Sequence, residues 1–112
     1  MNIAFVASEM YPLIKTGGLA DVAYALPKAL NKMKNDVRVF IPKYSKINNE
    51  YLKDSKYVTS VDIYNEIYNI ISVEIDGITV YLVENRTYFE RDSLYACWDN
   101  DIQFATLCEV VL

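Results

Sequence analysis

"LIKTGGLADV", residues 13–22, sets two of the chain's three glycines side by side, with Lys15 two positions before the pair and Asp21 three positions after it. Upstream, "NIAFVA" (2–7) is a near-continuous apolar run. Downstream, apolar residues recur at 19, 22, 23, 26, 30 and 33. The first pattern belongs to a strand of a parallel sheet covered on both faces. The second is one face of a helix from Leu19 to Met33, with Lys28, Asn31 and Lys32 opposite. The glycine pair therefore falls where a strand hands over to a helix. After the helix, "DVRVFIP" (36–42) reads as a second buried strand, stopped by Pro42. Strand, helix, strand is a βαβ unit with a right-handed crossover, and the fold class that follows is α/β.

Details of the helix fit this reading. Asp21 in its first turn and Lys32 and Lys34 in its last complement the helix dipole. Pro27 removes one backbone bond and is expected to kink the helix near its middle. Asn35 is expected to take the left-handed conformation that closes it.

The remainder departs from simple βαβ repetition. A polar connection, "KYSKINNEYLKDSK" (43–56), leads to strand-like "YVTSVDIY" (57–64) and "YNIISVEI" (68–75). Asp76-Gly77 then joins the second of these to "ITVYLVEN" (78–85), a strong hairpin pattern. Ten tyrosines, many of them here, fit an antiparallel excursion with one wetter face. "RTYFERDSLYACW" (86–98) reads as a loop. Asn100 and Gln103 resemble a capping box opening a helix with Phe104, Leu107, Cys108 and Val111 on one face. That stripe is still running at "CEVVL" (108–112), with no Gly or Asn to stop it. The chain thus reads as the first piece of a longer polypeptide; the plainer reading is a short terminal helix docked in its own core.

Composition bounds the function. With 53% hydrophobic and 23% charged residues, the chain fits one soluble globular domain, and no apolar run reaches the ~20 residues of a membrane span. The start, "MNIAFVASEMYP", lacks a basic segment and a small-residue cleavage site. Cys97 and Cys108 make no disulfide framework and are expected to be buried free thiols, in keeping with a cytoplasmic protein. The absence of histidine excludes a histidine general base and most transition-metal sites within these residues. Charge divides along the chain: nine Lys/Arg against five Asp/Glu in 1–60, and two against ten in 61–112. The lysines are scattered rather than massed, which favours a solvated surface over nucleic-acid binding.

An open parallel sheet binds ligands beyond the carboxyl ends of its strands, and the loop 8–18 lies there by construction. Gly17 and Gly18 let a backbone approach a ligand with no side chain between. The unpaired amides of the helix start, joined by the Lys15 ammonium, make a diphosphate the anion best held. The plainer reading is a tight turn beside a solvated lysine, since "KTGG" is neither a GxGxxG fingerprint nor a P-loop. Asp21 and Glu9 also read two ways, as ordinary surface acids or as acceptors for sugar hydroxyls. So do Tyr95 and Trp98, as a platform for a sugar ring or as anchors of their loop.

"MNIAFVASEMYPLIKTGGLADVAYALPKAL" resembles the N-terminus of bacterial glycogen synthases and plant starch synthases. The shared pattern is a strand ending in "SE", then "P", "KTGGL(G/A)DV" and "LPKAL". "DVRVFIPKY" and the later "LYACWDN" agree with it as well. The resemblance is strong over 1–44, loose over 45–85 and moderate over 86–112. It implies a Rossmann-like N-terminal lobe of a two-lobe, GT-B type glycosyltransferase. The activity implied is retaining transfer of glucose from ADP-glucose to the non-reducing end of an α-1,4-glucan such as glycogen, with no metal. By resemblance, Lys15 contacts the donor phosphates, Gly18 brings the backbone to the donor, Asp21 holds glucose hydroxyls and Tyr95 lines the cleft. Lys15 and the helix N-terminus would then stabilise the charge developing on the departing ADP.

The family's catalytic histidine segment and second lobe do not occur in these 112 residues, so the chain alone is expected to lack synthase activity. Self-association through the exposed cleft is compatible with that expectation. Two other classes compete. A dinucleotide-binding oxidoreductase lobe would want GxGxxG after the first strand and an acid ending the second, where Ile41-Pro42 stand. A non-catalytic glucan-binding or interaction module would rest on the aromatics of 88–98.

Overall fold

A computed structural model describes residues 1–87, 89 and 100–112, with the side chains of 100, 101, 102 and 104 left aside. Among these described residues, five strands form one sheet: β1 (Asn2–Val6), β2 (Asp36–Pro42), β3 (Lys56–Ile63), β4 (Glu66–Ile75) and β5 (Ile78–Glu84). Their spatial order is β1-β2-β5-β4-β3. β1, β2 and β5 pair in parallel, while β4 runs against both β5 and β3. Helix α1 (Gly18–Lys32) crosses from β1 to β2, and α2 (Asn100–Val111) lies on the opposite face. The α/β expectation, the βαβ unit and the antiparallel excursion are all present.

Side-chain alternation along β5 separates the two faces. Ile78, Val80 and Leu82 join Val39 and Ile41 of β2 and Ala23 of α1 in one fully buried core. Val83 points the other way and packs with Ile70, Leu107 and Val110 beneath α2. Each such aliphatic side chain contributes about 1.5–3 kcal/mol on burial, so β5, apolar on both faces, anchors the sheet.

Both hairpins turn on two left-handed residues. Asp76 (φ 48°) and Gly77 (φ 82°) join β4 to β5 with Ile75 opposite Ile78, the geometry that Asp-Gly favours. Tyr64 (φ 51°) and Asn65 (φ 64°) do the same between Ile63 and Glu66. The Tyr24 hydroxyl ties α1 to the first turn by donating to Asp76, and accepts from Lys28 Nζ. That hydrogen bond holds the Lys28 ammonium above the ordinary lysine value.

Four expectations are corrected. The face of α1 that packs on the sheet is Ala20, Ala23 and Pro27, whereas Leu19, Val22, Leu26 and Met33 are 44–71% exposed. The sheet already presents bulky Val, Ile and Leu there, so only small residues let the helix approach. The helix is closed by Lys34 (φ 66°), not Asn35. Lys34 N–H donates to Asn31 O and Asn35 N–H to Leu30 O, the paired bonds of a Schellman motif. On α2 the inward residues are Gln103, Leu107 and Val110, and Cys108 is an exposed free thiol. Finally, β1 is an edge strand with alternating exposed and half-buried residues rather than a strand covered on both faces. Pro27 lies inside a helix that runs unbroken from Gly18 to Lys32.

Candidate functional site: the loop between β1 and α1

The loop leaves β1 at the carboxyl edge of the parallel strands, where Ala7 N–H still donates to Phe40 O of β2. Three ties then fold it back on itself. Met10 and Ile14 exchange both backbone bonds, at 3.1 and 2.9 Å. Tyr11 N–H donates to Ala20 O at 3.0 Å, fastening the loop to the first turn of α1. Glu9, only 2% exposed, accepts at one oxygen from both Thr16 N–H (2.8 Å) and Thr16 Oγ1 (2.6 Å). Met10, Leu13 and Ile14 fill the space beneath and join the core under α1. The outcome is a backbone fixed on both sides of the glycine pair.

Gly17 sits at the N-cap in an extended conformation (φ −163°, ψ −161°) and offers the helix start no capping side chain. Among the described residues no acceptor meets the amides of Gly17, Gly18 or Leu19. Neither glycine is required by the fold itself. Neither has a positive φ, and a Cβ on either would meet no heavy atom within 4 Å. The tight-turn reading supplies no reason for glycine here. Open space and free donors, by contrast, are what a closely approaching anion needs.

Lys15 and Asp21 are brought together at this opening. The Lys15 ammonium donates to both carboxylate oxygens of Asp21, at 2.9 and 2.7 Å, with the two side chains 47% and 54% exposed. Lys15, Gly17, Gly18 and Asp21 thus form one cluster at the mouth of α1. Glu9 is placed differently from either sequence reading, as a buried pin for Thr16 rather than a surface acid or a sugar acceptor. Nothing in the local pattern marks this, except that a lone acid close behind the apolar run 2–7 needs a partner once buried. Tyr95, Trp98 and Cys97 lie outside the described residues. No helix among those described is long and apolar enough to cross a membrane.

Known proteins resemble the chain in sequence and in fold. The pattern of the starch synthase catalytic domain matches residues 2–112. Glycogen synthases of Fusobacterium nucleatum and Clostridium novyi are 42% and 41% identical over the whole chain, which covers 25% and 24% of their lengths. That of Anoxybacillus flavithermus is 45% identical, again over the whole chain and 24% of its own length. Among solved structures, the catalytic domain of starch synthase IV from Arabidopsis thaliana, bound to ADP and acarbose, superposes with a TM-score of 0.86. It is 26% identical and the match covers 97% of this chain and 24% of that one. The chain spans about a quarter of the length of the curated relatives it matches.

Proposed function

We propose, for a chain that belongs to the starch synthase catalytic domain family, that it supplies the donor-facing N-terminal part of a glycogen synthase. The reaction is transfer of glucose from ADP-glucose to the non-reducing end of an α-1,4-glucan with retention of configuration. Residues 1–112 act as one domain, and a second, nucleotide-binding lobe comes from further polypeptide. The observation that carries this reading is the glycine pair: two residues the fold does not demand, with free amides, beside a lysine.

In this reading the amides of Gly17–Leu19 and the Lys15 ammonium receive the diphosphate of the donor. As the glycosidic bond to the phosphate breaks, negative charge grows on the departing ADP. Preorganised donors at that position lower the barrier because they need not reorient as the charge appears. Asp21 accepts from sugar hydroxyls.

The unpartnered surface supports a larger assembly. A parallel strand reached from β5 through α2, on the face opposite α1, must move back past β2 to the free edge of β1 if its crossover is right-handed. A strand there would make β1 the switch point of the sheet, with the glycine loop in the crevice. Exposed Leu19, Val22 and Leu26 on the outer face of α1 are then contact surface for added polypeptide. In the 112-residue chain the same edge offers a route to self-association, which sedimentation velocity would register as a concentration-dependent dimer. A cytoplasmic setting belongs to the proposal, supported by the exposed free thiol of Cys108.

The test is a chimera in which this chain replaces the matching quarter of the Fusobacterium nucleatum glycogen synthase. The chimera should elongate glycogen from ADP-glucose, and the 112-residue chain alone should not. A folded chimera without activity, or turnover by the isolated chain, contradicts the proposal.

A further inference from the structure

We infer that the Lys15–Asp21 ion pair is an exchangeable latch through which the site prefers a sugar-bearing diphosphate over the bare nucleotide product. The inference rests on the proposed diphosphate site. Its starting point is that both oxygens of Asp21 are taken up by Lys15, at 2.9 and 2.7 Å.

The bonds of Glu9, Met10, Tyr11 and Ile14 hold the backbone of the loop, so the side chains of Lys15 and Asp21 are the parts free to rearrange. About half of each side chain is exposed, and ion pairs in that setting contribute little. A diphosphate brings several charges and oxygens to the same ammonium, with three unpartnered amides beside it, so the ammonium changes partner on binding. Asp21 is then left as an acceptor-only carboxylate next to an anion. Sugar hydroxyls on the diphosphate supply the donors it lacks. Bare ADP supplies none. Asp21 thus competes for Lys15 most effectively once the glucosyl group has gone, which favours release of ADP and retention of ADP-glucose. It acts here as a specificity-determining residue, quite apart from any role in the bond-breaking step.

The experiment titrates the chimera with ADP and with ADP-glucose at fixed ionic strength, following the selectively labelled backbone amides of Gly17, Gly18 and Leu19. Asp21→Asn should bind ADP about fivefold more tightly than the unsubstituted chimera and ADP-glucose no more tightly, so the preference for ADP-glucose falls. In a Lys15→Ala background, Asp21→Asn should give no gain for ADP. An unchanged preference in Asp21→Asn overturns the inference while leaving the diphosphate site standing. So does a gain that persists without Lys15, which would make Asp21 a simple repulsive charge. A chimera whose residue 17–19 amides respond to neither ligand overturns the diphosphate reading and the latch with it.

Discussion

Glu9→Ala should lower the stability of the domain by about 2–3 kcal/mol, read as a fall in Tm of roughly 10–20 °C for a domain of this size. The carboxylate is 2% exposed and takes two charge-assisted hydrogen bonds from one residue, Thr16. Bonds to charged groups contribute about 1.5–3 kcal/mol each. The sum is reduced because Thr16 is exposed and can turn to water once Glu9 is gone, and because burying a carboxylate costs desolvation that alanine escapes. Glu9→Gln keeps an acceptor for Thr16 and should recover more than half of the loss. Thermal and urea unfolding of the three proteins measure this directly. If Glu9→Ala melts with the natural chain, Glu9 does not hold the loop, and the fixed backbone on which the site depends has lost its main tie.

Lys15→Ala should reduce kcat/KM for ADP-glucose in the chimera roughly 100-fold, with no comparable change in unfolding temperature. The separation of the two effects follows from exposure. Lys15 is about half exposed and its partner among the described residues, Asp21, is a surface acid, so removing it costs the fold at most ~1 kcal/mol. Removing a preorganised positive charge from a departing diphosphate forfeits about 2.7 kcal/mol or more of transition-state stabilisation. Lys15→Arg should regain part of the activity, because a guanidinium reaches phosphate with different geometry. Steady-state kinetics with ADP-glucose varied at saturating glycogen distinguish the outcomes. A tenfold or smaller loss would place the diphosphate away from Lys15.

The sequence made the location of the site legible before its internal arrangement. An apolar strand, a glycine pair and a helical period are local patterns, and together they put the loop at the carboxyl edge of a parallel sheet. Asp76-Gly77 was equally readable, because a two-residue left-handed turn has a strong residue preference. The packed face of α1 was not. Periodicity at 19, 22, 23, 26, 30 and 33 reports a real apolar stripe, and Ala23 does pack inward, yet which face docks is decided by the sheet opposite, where Val39, Ile41, Val80 and Leu82 admit only Ala20, Ala23 and Pro27. The larger members of the stripe, Leu19, Val22, Leu26 and Met33, face outward.

Glu9 and Lys34 escaped for related reasons. Glu9 meets Thr16 across seven residues of a loop, and no short-range rule predicts that pairing. Asn35 is the residue type that favours the left-handed region, but the Schellman bonds set the register of the helix end and assign that conformation to Lys34. At the site, the sequence pattern implies two separate contacts to a ligand from the charges flanking the glycines. In the structure they contact each other, which turns two independent roles into one competition.

A crystal structure of the chimera with ADP-glucose tests the central claim most directly. It should hold the diphosphate within hydrogen-bonding distance of the amides of residues 17 to 19 and of Lys15 Nζ, with Asp21 swung onto the glucosyl hydroxyls. A donor bound elsewhere, with Lys15 still clasped to Asp21 and the glycine amides bare, would contradict it.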